Sequence, residues 1–127
     1  MSVQQEQFEM RLAHVGIDGA TPEEAAACAR EIAKLMGVSV METPVSYFAG
    51  SEVEVMKAPG RAVHGHLGFW VNNINAAQAW FEEEGYAFAL ESRATWPSGA
   101  TKLVYFARPI GGFAIHLVGD DVPSATE

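Results

Sequence analysis

The sequence predicts an α+β protein of two tandem βαβββ modules, forming a concave mixed sheet with the helices outside. Three observations predict it. Short motifs recur in the same order: His14-Val15-Gly16-Ile17 returns as His66-Leu67-Gly68-Phe69, Ser46-Tyr47-Phe48-Ala49 as Val104-Tyr105-Phe106-Ala107, and Val53-Glu54-Val55-Met56 as Ile115-His116-Leu117-Val118. Each half carries one helical pattern, and each surrounds it with period-two strands. At 127 residues the chain has the length of one domain, and 49% apolar residues suffice for a core.

The elements follow in order. Residues 11–18 alternate, with Ala13, Val15 and Ile17 on one face and His14 and Gly16 on the other. Thr21 is an N-cap, Pro22 takes the first helical position and Glu24 closes a capping box. Ala25, Cys28, Ala29, Ile32 and Met36 form the apolar stripe of that helix, and Gly37 ends it. Strands are expected over 38–42, 45–49 and 52–57, with turns at Thr43-Pro44 and Gly50-Ser51. Ala58-Pro59-Gly60 links to the second half.

The second half opens with a strand over 64–71. Asn75 is the expected cap of its helix, Gln78 can close the box, Ala77, Trp80 and Phe81 face inward, and Gly85 is the stop. Strands are expected over 86–91, 102–107 and 113–118, interrupted by a loop containing Trp96-Pro97-Ser98-Gly99 that is either a lid or a hairpin excursion. The domain thus spans 11–118, with modules over 11–58 and 62–118. Residues 1–10 are a polar extension and 119–127 a flexible tail.

Composition excludes several function classes. A net charge of −8 opposes nucleic acid and anionic membrane surfaces. No apolar run reaches about 18 residues, and the N-terminus lacks a signal-peptide pattern, so a cytoplasmic location is expected. Cys28, the single cysteine, is read as a packed structural thiol.

Equivalent strands of the two halves supply His14, Glu54, His66 and His116, four residues of metal-ligand type. Three imidazoles and a carboxylate suit one divalent ion of borderline character: Zn, Ni, Co, Mn or Fe(II). Strand alternation sends His14 and His66 away from the helices. His64 shares a face with His66 and is a candidate proton carrier. Trp70 and Met56 are expected as cavity wall, Tyr47, Tyr105 and Phe106 as core, and Glu52 as a solvated carboxylate. Arg93, Lys102 and Arg108, with Trp96, are candidate contacts for a substrate carboxylate or phosphate.

The duplicated plan, with HVGI and GHLGF opening the modules and GGFAIHLV closing the second, resembles the vicinal oxygen chelate superfamily. This superfamily includes glyoxalase I, fosfomycin and bleomycin resistance proteins, methylmalonyl-CoA epimerase and extradiol dioxygenases. The run FAGSEVEVMKAPG is further similar to small glyoxalase-like domains, some appended to or encoded near 2-keto-3-deoxy-phosphogluconate aldolases. The resemblance implies metal ligands from the first and last strands of each module, here His14, Glu54, His66 and His116, and a homodimer. It also implies a metal-dependent lyase, isomerase or epimerase acting on a small hydroxy- or keto-acid through a metal-chelated enediolate, with Glu54 moving the proton and His64 as relay. The alternative is a non-catalytic metabolite-binding or accessory domain linked to sugar-acid metabolism; dioxygenase and antibiotic-resistance functions fit less well. Glyoxalase I usually carries a glutamate where His116 stands, and Asp18 and Ala58 occupy the positions of its glutathione contacts. Both departures argue against glutathione-dependent glyoxalase I activity.

Overall fold

A computed structural model describes residues 7–121. The sequence places a flexible tail over 119–127; of that stretch, residues 122–127 lie outside the described residues, as do residues 1–6 of the expected extension.

The architecture is α+β. Strand β1 (Met10–Asp18), helix α1 (Pro22–Met36) and strands β2 (Val40–Glu42), β3 (Ser46–Ala49) and β4 (Val53–Met56) are followed by β5 (Gly65–Val71), α2 (Ile74–Glu83), β6 (Phe88–Thr95), β7 (Thr101–Phe106) and β8 (Phe113–Val118). The βαβββ order therefore occurs twice. The eight strands form a mixed sheet in the order β2-β3-β4-β1-β5-β8-β7-β6. In each half the first strand neighbours the last strand of the same half, then the third, then the second.

The chain divides into two compact units. One comprises Ala13–Leu67 with Ile110–Ala114. Here β1 runs parallel to β4, pairing Gly16 with Glu54 and Ile17 with Val55, while β3 is antiparallel to both β2 and β4. Helix α1 covers the apolar face: Ala25, Ala29 and Val55 are fully buried, with Ile17, Cys28, Tyr47 and Val53 packed around them. Small residues on the buried stripe bring the helix close to the sheet, and the Cys28 thiol is part of that packing. The Thr21 hydroxyl accepts from the Glu24 amide at 3.2 Å, and Gly37 adopts the left-handed conformation that ends the helix. The expected stripe is one turn off at its end. Ala33 is buried and Met36 is exposed.

The other unit gathers Gly68–Pro109 with the described parts of Met1–Leu12 and Ile115–Glu127. Its core is aromatic. Phe81 of α2 meets Phe106 at 5.1 Å and Tyr86 at 5.6 Å, and Phe88 meets Phe106 at 4.4 Å. Phe8 belongs to this core, only 4% exposed, with its ring against Trp80 and Phe81. The supposedly polar extension thus donates a core residue, and the Glu9 amide bonds Asn72 Oδ1 at 2.8 Å.

One helix start needs correction. The cap of α2 is Asn73, not Asn75: Asn73 is extended, and its Oδ1 accepts from the Ala76 amide at 3.1 Å. Starting there buries Ile74 and Gln78 beside Ala77 and Phe81. Asn75 falls inside the first turn, where its Oδ1 accepts from Arg93 at 2.6 Å. Strand β6 also extends to Thr95, beyond the expected end at 91, through irregular pairing with β7. No helix among the described residues is long and apolar enough to cross a membrane.

Candidate metal centre

Within the first unit, His14, Gly16, Ser46, Phe48, Glu54 and Met56 lie on the sheet face opposite α1. Strand alternation and the β1–β4 and β3–β4 registers place them there. His66 enters the same group from the start of β5. Its Nε2 lies 3.0 Å from Glu54 Oε1 and 3.2 Å from His14 Nε2, and His14 Nε2 lies 3.6 Å from the same carboxylate oxygen. The three side chains are only 8–14% exposed.

Those separations can be compared with what an ion requires. Nitrogen and oxygen ligands about 2.0–2.2 Å from a single ion stand about 2.8–3.6 Å from one another, from octahedral to tetrahedral arrangements. The three donor atoms satisfy that spacing. A His14 imidazole disposed to stay neutral and a carboxylate disposed to ionise also suit an ion. Burial pushes the His14 imidazole below its ordinary value, the neighbouring His66 adds to this, and Glu54 opposes it without winning. Burial alone would raise the Glu54 carboxyl. Hydrogen bonds from His66 and Ser46, with the charges of His66 and His14, outweigh it and hold the group below the ordinary carboxylate range.

Three residues that the sequence reading did not single out complete this arrangement. Ser46, with no exposed surface, donates its hydroxyl to Glu54 Oε2 at 2.7 Å. Phe48 pairs with Glu54 across the ladder and sets its ring edge-on to His14 at 6.0 Å. Gly16 leaves the space that the His66 ring occupies: a Cβ there would stand 2.0 Å from His66 Cε1. The repeated glycine two residues after each histidine was the available signal.

His116 lies on β8 in the second unit, buried, with Tyr105 stacked on its ring at 4.7 Å. Its register corrects the repeat. Glu54 pairs with Phe48, and His116 pairs with Tyr105. If Glu54 and His116 are equivalent, Phe48 matches Tyr105, one residue away from the sequence alignment of SYFA with VYFA. A slip of one exchanges the faces. Tyr47 packs toward α1, as core, while Phe48 and Tyr105 accompany the candidate ligands.

The remaining candidates are dispersed. His64 does not share a strand face with His66. It precedes β5 and is exposed, its amide bonds Gly112 O at 2.9 Å, and its ring lies against Phe113. Gly65, at φ 136°, interrupts the alternation between the two histidines. Arg93 donates to Gln78 Oε1, Asn75 Oδ1 and Thr101 Oγ1, tying α2 to β7 beside a recess of about 560 Å³. Lys102 lies over the Trp96 ring, and Trp96 Nε1 donates to Gly119 O. Trp96–Gly99 is a tight turn closed by a bond from the Gly99 amide to Trp96 O. Arg108 lies over Tyr86. Trp70 donates to Asp120 and carries Arg11 on its ring, while Glu52 is exposed.

No family model and no curated protein matches the chain. Solved structures do. A hypothetical protein from Bacillus halodurans C-125 aligns with a TM-score of 0.62 at 11% identity, over 91% of this chain and 98% of that one. Methylmalonyl-CoA epimerase of Streptomyces coelicolor aligns with a TM-score of 0.62 at 16% identity, over 91% and 97%. Homoprotocatechuate 2,3-dioxygenase of Brevibacterium fuscum aligns at 0.57 and 16% identity over 88% of this chain, which spans only 33% of that chain. The epimerase and the dioxygenase are members of the vicinal oxygen chelate superfamily. At these identities the likeness is one of fold.

Proposed function

We propose that this protein binds one divalent metal ion through His14, Glu54 and His66, with His116 as fourth ligand, and uses it to rearrange a small hydroxy- or keto-acid. The observation that carries the reading is the triangle of donor atoms, 3.0, 3.2 and 3.6 Å on its edges. Imidazole nitrogen and carboxylate oxygen suit Zn, Ni, Co, Mn or Fe(II).

A bound divalent ion would supply a Lewis acid that makes a C–H next to a carbonyl acidic. The chain supplies the rest. Glu54 is the carboxylate of the set, ionised at neutral pH, and so able to accept that proton and return it. Phe48 and Met56 provide an apolar border on the same face. Isomerase, epimerase or lyase chemistry fits this set, and the fold likeness to an epimerase supports it.

The test is Glu54→Gln, assayed on a panel of 2-keto- and 2-hydroxy-acids with metal content measured alongside. Turnover by the parent protein, lost in the variant while the ion is retained, is the expected result. Undiminished turnover in the variant removes Glu54 from the chemistry. A second reading rests on His116, which stands where a glyoxalase would carry another carboxylate. On that reading the protein is an accessory module that binds a sugar-acid metabolite without converting it. Tight binding of such acids with no product would favour it.

A further inference from the structure

We infer that Ser46 is the positioning residue of this centre, holding one oxygen of Glu54 so that the carboxylate presents only the other to the ion. The inference rests on the metal-binding reading above. Three observations carry it.

First, Ser46 has no exposed surface, so its hydroxyl must find its partners inside the protein. It lies 2.7 Å from Glu54 Oε2, while Oε1 faces His66 and His14. The two oxygens of one carboxylate therefore have separate tasks.

Second, the direction of the hydrogen bonds follows from proton supply. An ionised carboxylate only accepts, so the single Ser46 proton goes to Glu54. Thr43 Oγ1 lies 2.8 Å from Ser46 Oγ and 3.3 Å from Ser46 O; with the Ser46 proton on Glu54, the shorter of these contacts takes the Thr43 proton to Ser46 Oγ. Thr43 Oγ1 in turn accepts from the Ser46 and Val45 amides at 2.9 and 3.2 Å. The resulting chain runs from backbone amides through Thr43 and Ser46 to Glu54. Such a chain polarises in one direction and fixes the rotamer at its end.

Third, the second half lacks this device where it has no carboxylate to hold. Ser46 pairs with Met56, two residues past Glu54. At the matching place Leu103 pairs with Val118, two residues past His116. An imidazole offers a single nitrogen to an ion and needs no second atom restrained. A free carboxylate can swing to bind through both oxygens, which would occupy a position that a chelating substrate requires. Ser46 thus favours one-oxygen coordination and open sites.

The probe is Co(II), titrated into the full-length metal-free protein and followed by its visible absorption. Ser46→Ala is expected to weaken Co(II) binding by roughly 10- to 100-fold, the range typical of lost outer partners, and to shift the visible band as the carboxylate changes its mode. Thr43→Val should move both readings the same way by less, and it serves if Ser46→Ala does not fold. Parent-like affinity and spectrum in a folded Ser46→Ala, or in Thr43→Val should that be the only folded variant, overturn the inference while leaving metal binding intact. A lowered melting temperature with unchanged Co(II) affinity and band would make Ser46 purely structural and also overturn it. If the parent protein takes up no Co(II), the metal-binding reading fails first and takes this one with it.

Discussion

Gly16 and His66 share one volume: the space where a side chain on Gly16 would begin is filled by the His66 imidazole, 2.0 Å from the notional Cβ. Gly16 lies on an ordinary strand backbone, so its role is spatial rather than conformational. Gly16→Ala should therefore displace His66 and abolish stoichiometric metal uptake. Overpacking of this kind costs about 1–3 kcal/mol, which leaves the fold measurable by circular dichroism. Full metal content in folded Gly16→Ala would show that the ring is not held where it is needed.

Acid should destabilise the metal-free protein in a defined window. His14 has its folded value below the ordinary imidazole value, so the unfolded chain binds the proton more readily. Its contribution is neutral above about pH 6.5 and becomes a penalty as the pH falls below that. Glu54 is also shifted down, so its stabilisation is present above the ordinary carboxylate value and is lost as the pH falls through the folded one. Melting temperature measured from pH 8 to pH 4 should fall monotonically below about pH 6.5. His14→Phe should flatten the upper part of that fall. A flat profile in the parent contradicts the assignment.

The corrected cap of α2 makes a discriminating pair. Asn73→Ala removes the acceptor of the Ala76 amide and should cost about 1 kcal/mol. Asn75→Ala leaves the cap in place and removes one of three Arg93 acceptors. Its cost, at an exposed site, should be smaller, and denaturant midpoints would rank the two. The reverse ranking would return the cap to Asn75.

Thr21→Ala on α1 should likewise cost about 1 kcal/mol, because its hydroxyl accepts from the Glu24 amide. Metal content should not change in this variant. If it does, α1 and the opposite sheet face are coupled more tightly than their packing indicates.

Local pattern carried much of this protein. The repeat, the two helices, the Thr21 cap and the alternation of His14 against Val15 and Ile17 were legible because each depends on residues a few positions apart. The same alternation separated the candidate ligands from the core, and residue type marked them as metal-ligand candidates. Other features depend on register and on what occupies space across strands. Phe48 rather than Tyr47 stands beside the candidate ligands because the β3–β4 ladder pairs it with Glu54, and one residue of slip would reverse that. Ser46 is a serine in an apolar run until the hairpin sets its hydroxyl against Glu54 Oε2. His64 parts from His66 because Gly65 takes a positive φ that no alternation rule anticipates. Phe8, read as part of a polar extension, is drawn into an aromatic core more than 70 residues away in sequence. Chemistry could be named from one strand at a time; geometry needed the pairing of strands distant in the chain, because only that pairing decides which atoms come within bonding distance.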